Sequence, residues 1–361
     1  MKTSLTLISG LTFLLSATLP AVAAGGESDR SWKLEPRTPA VQLSGFMGSL
    51  DLSGIAMTGK NVLVVSDELT GVQGGTLDEK SGTITYTSAV SLALTGGKGG
   101  KKKGGGKSGG EIDMEGACFA PEENAFYVTG SHGVGKKKGD VQLLRYGVYR
   151  IPYDAARGGL IPGEVTQTTL LPVLEQNAIF KDHLRQPLQQ NGFNIEGLAW
   201  AGGKLFFGVR GPNIGGDSFV IEVPAGELFA KSGIGVEPRV HRIPAGAGKG
   251  IREIVSVKGG FLMLTGNAAS EASKAFPESL AREEDAGFAL SFVPRQANGD
   301  LGKPEVIGDV TQSGGKAEGL LVMKDEGGVI EIAVLHDGLE QGGATSFAIR
   351  RPANQVVTGQ E

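Results

Sequence analysis

Short runs in which apolar and polar residues alternate recur along most of the chain, and this period of two predicts β-strands rather than helices. Five runs open on a similar motif, turn tightly, and return through a second apolar run that ends on a polar residue. Ser53-Gly54-Ile55-Ala56 leads to Asp67, Glu115-Gly116-Ala117-Cys118 to His132, and Glu196-Gly197-Leu198-Ala199 to Arg210. Glu253-Ile254-Val255-Ser256 leads to Asn267, and Glu318-Gly319-Leu320-Leu321 to His336. The interval is 14 residues in three copies and 17 or 18 in the others. Recurrence on this scale marks a repeat architecture.

Each repeat extends into further strands, giving sheets over residues 51–93, 112–172, 193–243, 250–310 and 315–350. The last has only three strands, and residues 37–43 ahead of the first repeat supply the missing one. Borrowing that strand closes a ring and removes an exposed sheet edge. Four-stranded sheets arranged radially make a β-propeller, so the expected fold is all-β, a single propeller of five four-stranded blades spanning 25–361. In such a ring the connections before each inner strand and after each second strand share one face. Nearly all long insertions fall there: Gly96–Gly110, Gly133–Asp140, Gln176–Phe193, Gly211–Gly216 and the helix-prone Ala268–Ala286. Long loops on one face of a rigid scaffold are where binding and catalysis concentrate.

Composition narrows the class. Gly makes up 59 of 361 residues, which suits many tight turns. The formal net charge of −4 implies neither a nucleic-acid partner nor an anionic membrane. Residues 1–24 combine Lys2, an apolar run from Leu5 to Leu19, and the small residues Ala21-Val22-Ala23-Ala24. This is the pattern of a secretory signal peptide, so a periplasmic or secreted protein is expected, with no membrane insertion after cleavage. The single cysteine, Cys118, excludes an intrachain disulfide and reads as a small core residue, with Trp200 and Phe206-Phe207 as packing between sheets. A monomer is expected.

The candidate chemistry lies at the starts of the inner strands. Glu115, Glu196, Glu253 and Glu318 would face one channel mouth, with Ser53 in the fifth position. Four carboxylates about 7 Å apart would repel by about 2 kcal/mol per pair at an effective dielectric near 20, about 14 kcal/mol in all. Protonation, neutralisation by Arg252 and similar bases, or a bound cation would remove that cost. Ca²⁺ accepts six to eight oxygen ligands in loose geometry, so these five residues are the expected metal ligands. Alternatively, each glutamate accepts backbone N–H groups of a neighbouring blade and locks the ring. The four histidines show no zinc spacing. Arg210, His132 and His336 end second strands near the channel and are candidate catalytic groups, with Asp67, Arg252 and Asn267 as candidate substrate contacts. Lys101-Lys102-Lys103 with Lys107, and Lys136-Lys137-Lys138, would draw a small anionic molecule to this face, or be solvated loops. A complete phosphate loop is not present, since Lys101 stands where Gly106-Lys107-Ser108 would need an upstream glycine.

The set Asp113-Met114-Glu115-Gly116 with Thr129-Gly130-Ser131-His132, Asn194-Ile195-Glu196-Gly197 with Arg210-Gly211-Pro212, and Gly250-Ile251-Arg252-Glu253-Ile254 resembles a secreted bacterial family of unknown function. Its members are predicted propellers akin to the phytase-like, esterase-like group, and the resemblance runs from about Leu52 to Arg350. Lys316-Ala317-Glu318-Gly319 and Glu196-Gly197-Leu198-Ala199-Trp200 are more distantly similar to the calcium-activated nucleotidases. Those are five-bladed propellers whose central Ca²⁺ is held by Glu and Ser residues at blade starts; their nucleotide-contacting residues have no match here. Two classes of function follow: a calcium-dependent phosphoester hydrolase, and a non-catalytic secreted module binding a ligand or protein. Phosphate release with and without Ca²⁺ separates them.

Overall fold

The computed structural model describes residues 31–92, 112–135, 139–282, 284 and 286–355. The segment 1–24, the whole Gly96–Gly110 insertion and both lysine clusters lie outside the described residues. Five antiparallel sheets follow one another along the chain, as the alternation predicts. Their inner strands are Leu52–Thr58, Met114–Ala120, Asn194–Ala201, Lys249–Val257 and Lys316–Glu326. Each packs against the inner strand of the next blade, and the fifth against the first, so the ring is closed. It is a five-bladed β-propeller.

The core follows from this arrangement. Apolar side chains of the two faces of each sheet meet those of its neighbours, producing five buried clusters, one at each junction between blades. Trp200 stacks on Tyr127 across the second junction, with ring centroids 5.4 Å apart, and Phe206 meets Phe261 at 4.8 Å across the third. Cys118 is buried in the same layer as Tyr127 and Trp200. Aromatic pairs of this kind contribute about 0.5–1.5 kcal/mol beyond their burial.

The N-terminal segment does close the ring, but with a different stretch from 37–43. Lys33–Pro36 pairs antiparallel with Thr345–Arg350 as the outer strand of blade five. Gln42–Ser44 instead joins the outer edge of blade one, parallel to Thr83–Ser91, giving that blade a fifth strand. Blade two also gains a two-residue strand, Gly159–Leu160. A second correction concerns Ala268–Ala286, which forms no α-helix among its described residues. Pro277 disfavours helical geometry at Phe276, and serine side chains hold the backbone in turns. Ser273 Oγ accepts from the Phe276 N–H at 3.1 Å, and Ser279 Oγ donates to the Ser270 carbonyl. The α-helices of the described residues lie elsewhere, at Leu171–Gln176 and Ala225–Lys231. Among the described residues no helix is long and apolar enough to cross a membrane.

Candidate functional site

Every inner strand carries a β-bulge close to its start. The register skips from Leu52 to Gly54, Met114 to Gly116, Ile195 to Gly197, Ile251 to Glu253 and Ala317 to Gly319. The five unpaired residues are therefore Ser53, Glu115, Glu196, Arg252 and Glu318. A bulge leaves one residue without a ladder partner and re-aims its side chain. Glycine follows the bulge in four blades; in three of them the next inner strand passes too close for a Cβ, and at Gly319 a Cβ would press on Leu335 of its own blade. One placed on Gly197 would lie 2.7 Å from the Ile254 nitrogen, and one on Gly54 2.4 Å from the Glu115 carbonyl oxygen.

This corrects the fourth position of the predicted carboxylate set. Arg252, not Glu253, is the structural equivalent of Glu196 and Glu318. A slip of one residue exchanges the two faces of a strand, and Glu253 is fully buried away from the mouth. Its Oε1 accepts from the backbone N–H of Leu198 at 3.0 Å and from its own neighbour Ile254 at 2.9 Å. It thus ties blade four to blade three, as the locking alternative requires of a glutamate. Burial pushes its carboxyl well above the usual range, partly offset by those two backbone bonds.

The remaining carboxylates open into a cavity of about 670 Å³ on the face of the long loops. Glu196 accepts from Arg210 Nη1 at 2.6 Å through Oε1. Its Oε2 lies 2.8 Å from Arg252 Nε, an ion-pair contact bent too far for a hydrogen bond. Arg252, itself 2% exposed, bridges onward to Glu318 Oε1. Arg210 also donates to the Asn267 carbonyl at 3.2 Å and the Ala269 carbonyl at 3.3 Å, fastening the 268–282 loop over the ring. Glu115 is 7% exposed and makes no hydrogen bond or ion pair with a described residue. Phe193, Phe276 and Phe288 give the wall an apolar component.

Burial raises the Glu115 carboxyl well above the carboxylate range, and the charges of Asp113, Glu196, Glu318 and Asp67 push it in the same direction. Burial also raises Glu318 to about 8; Arg252 pulls it back, while Glu196 and Asp337 push it further up. For Arg252 burial works against the charge, but Glu196, Glu318 and Glu115 outweigh it and its pKa is raised.

The other predicted residues divide. Asp67, Arg210, Arg252 and Asn267 line the cavity. Ser53 sits at its bulge but is turned to blade two, donating to the Met114 carbonyl at 2.6 Å. His132 and His336 are buried outside the cavity lining, and burial lowers both to about 4, so both are neutral at pH 7. His132 Nδ1 lies 2.8 Å from the Gly130 carbonyl, and His336 Nε2 lies 3.0 Å from Thr345 Oγ1. Register explains the second case. Ser66, Val209 and His336 pair with the residue before the bulge, and the following residues Asp67, Arg210 and Asp337 are the ones that reach the cavity. Asp337 is thus a missed site residue, together with Lys316 at 3.5 Å from it. The buried pair Asp113–Arg145, 2.5 Å apart, was missed as well. Asp113 stood two residues before Glu115 as a signal; Arg145 had none, because it lies on a third-strand approach far from any motif. Among the described residues, no group of three or more His, Cys, Asp or Glu side chains is arranged to hold a metal ion.

A family model described as "Protein of unknown function (DUF3616)" matches residues 154–346. No curated protein sequence matches the chain. Similar solved structures include the PQQ-bound form of aldose sugar dehydrogenase from Streptomyces coelicolor, 13% identical at a TM-score of 0.41, covering 90% of this chain and 99% of that one. Glutaminyl cyclase of Myxococcus xanthus is 11% identical at 0.42, covering 86% and 97%. A Carbohydrate-Active Enzymes Family AA12 structure from Trichoderma reesei is 12% identical at 0.41, covering 94% and 100%. Likeness at these scores carries no argument about ligand or reaction.

Proposed function

The chain belongs to the DUF3616 family of proteins of unknown function, and from that premise we propose that its axial cavity binds a small polar organic molecule and moves a proton on it through Glu318. The observation that carries this reading is the Glu196–Arg252–Glu318 relay. It holds a cavity-lining carboxyl in place at a pKa of about 8, where it can act as acid or base near neutral pH. Arg252 and Arg210 fix that geometry from two sides, and Glu115 offers a second polar group to the ligand.

Calcium-dependent phosphoester hydrolysis is the competing reading. It asks for a fourth carboxylate where the ring carries Arg252. A doubly charged phosphoester also finds every cation of the described lining already in an ion pair: Arg145 with Asp113, Arg210 with Glu196, Arg252 with Glu196 and Glu318, and Lys316 with Asp337. Thermal shift with polyols, amines, carboxylates and phosphoesters, each with and without Ca²⁺, tests the two. Expected is stabilisation by non-phosphorylated polar molecules without Ca²⁺, with NMR showing turnover by the wild type and none by Glu318→Gln. Stabilisation confined to phosphoesters plus Ca²⁺ would overturn the proposal.

A further inference from the structure

The blades succeed one another around the axis, so their order fixes which bulge residues are neighbours. Arg252 of blade four stands between Glu196 of blade three and Glu318 of blade five, and it is paired to both. Glu115 of blade two has Glu196 on one side and Ser53 on the other, and Ser53 is turned away to the Met114 carbonyl. No cation of the described lining makes an ion-pair contact with Glu115, since all four are paired elsewhere; Arg252 acts on it only through its field. The residue is more than nine-tenths buried, faces the cavity, and has no hydrogen-bonding or ionic partner among the described residues. A buried carboxyl in that condition is costly. What it lacks is a positive charge in contact with it.

A metal ion needs several converging side chains, and no such group of three exists among the described residues. The cavity's volume of about 670 Å³ and its three phenylalanine rings suit an organic molecule. Aromatic faces also attract organic cations. We infer that Glu115 receives a cationic nitrogen, an ammonium or amidinium, of a small organic ligand, with Asp67 adding to the negative field and Phe193, Phe276 and Phe288 covering the carbon skeleton. This rests on the cavity being a small-molecule site, as proposed above, and assigns that molecule's charge.

The test is calorimetric titration of the full chain with small amines, each paired with its hydroxyl isostere, beginning with glucosamine against glucose and benzylamine against benzyl alcohol. Calcium chloride is titrated alongside. The amine of each pair should bind at least about tenfold more tightly, the value of one well-placed charge interaction. Glu115→Gln should abolish the preference with little change in melting temperature, since its neutral amide replaces an unpaired acid. Should that variant not fold, Asp67→Asn should weaken the amines severalfold and leave the alcohols unchanged. Equal binding of amines and alcohols overturns the cationic assignment while leaving the cavity a small-molecule site. Binding of calcium alone overturns it in favour of a metal. No binding by any member of the series overturns both readings.

Discussion

Replacing Arg252 with methionine removes the one cation that neutralises two ring carboxylates. The guanidinium is 2% exposed, and it contacts Glu196 at 2.8 Å and bridges to Glu318. Deleting one partner of a buried pair costs about 3–5 kcal/mol, because the remaining charges stay desolvated. For 361 residues the unfolding entropy is about 0.76 kcal/mol per kelvin. The expected drop in melting temperature is therefore about 4–7 °C at pH 8. The pH dependence separates charge from packing. Glu318 is raised to about 8 against an ordinary 4.5, so the folded state binds more protons and stability falls as pH rises through that window. Without Arg252 the ring carboxyls rise further, and the penalty grows with pH. Scanning calorimetry at pH 5 and pH 8 should show a clearly larger loss at pH 8. A packing defect alone would give equal losses, and that result, or a variant more stable than wild type at pH 8, refutes the electrostatic account. Arg252→Lys should restore part of the loss, since it returns the charge without the planar fork that reaches both partners.

Other outcomes follow from the same structure. Truncation through Pro36 removes the outer strand of blade five and the Trp32–Phe292 contact, and should lower the melting temperature by several degrees; unchanged melting would contradict closure by this strand. His132 falls to about 4 from an ordinary 6.5, so its contribution is present above pH 6.5 and is lost as pH falls toward 4, about 3 kcal/mol in full. The raised carboxyls work in the opposite sense, so the readout is the difference between wild type and His132→Gln: the wild type should lose stability more steeply between pH 6.5 and 4, and parallel curves would remove the argument. Gly197→Ala should destabilise by about 1–3 kcal/mol, since its Cβ would press on the Ile254 nitrogen of blade four, and chemical denaturation measures this directly.

The blades were legible because strands buried on one or both faces keep a period of two, and the span 51–93 predicted for blade one holds the strands Leu52–Thr58, Asn61–Ser66, Gly71–Asp78 and Thr83–Ser91. The closing strand was displaced because two apolar stretches lie within a dozen residues. Leu34 packs at the junction of blades four and five, whereas Val41 and Leu43 pack at that of five and one. Apolarity says that each is buried, and the sequence pattern has no term for which sheet edge receives it. The loop after Asn267 misled for a local reason: its alanines and glutamates favour helix, and one proline with two serine bonds overrules them. In the site, Glu115, Glu196, Glu318, Asp67, Arg210 and Arg252 could be found by the repeat, but the partners that set their charge could not, since Arg145 meets Asp113 only in three dimensions.

The fourth blade shows why a repeat specifies a scaffold more firmly than a site. In the other four blades a glycine follows the bulge and announces which residue is re-aimed. In blade four that place is held by Glu253, so two polar residues, Arg252 and Glu253, compete for the same role in the sequence. The backbone decides between them through the bulge, and the consequence is a change of sign. A ring read as four carboxylates needs an external cation at its centre. The ring that forms carries its own cation on blade four, which makes ion pairs only with the two adjacent blades. Ion pairing at the bulge positions is thus confined to blades three, four and five, and blade two is left with a buried acid that nothing in the described chain pairs. A symmetrical ion site at the axis does not fit that asymmetry. An elongated ligand does, with its positive end at Glu115 and its reactive part at Glu318.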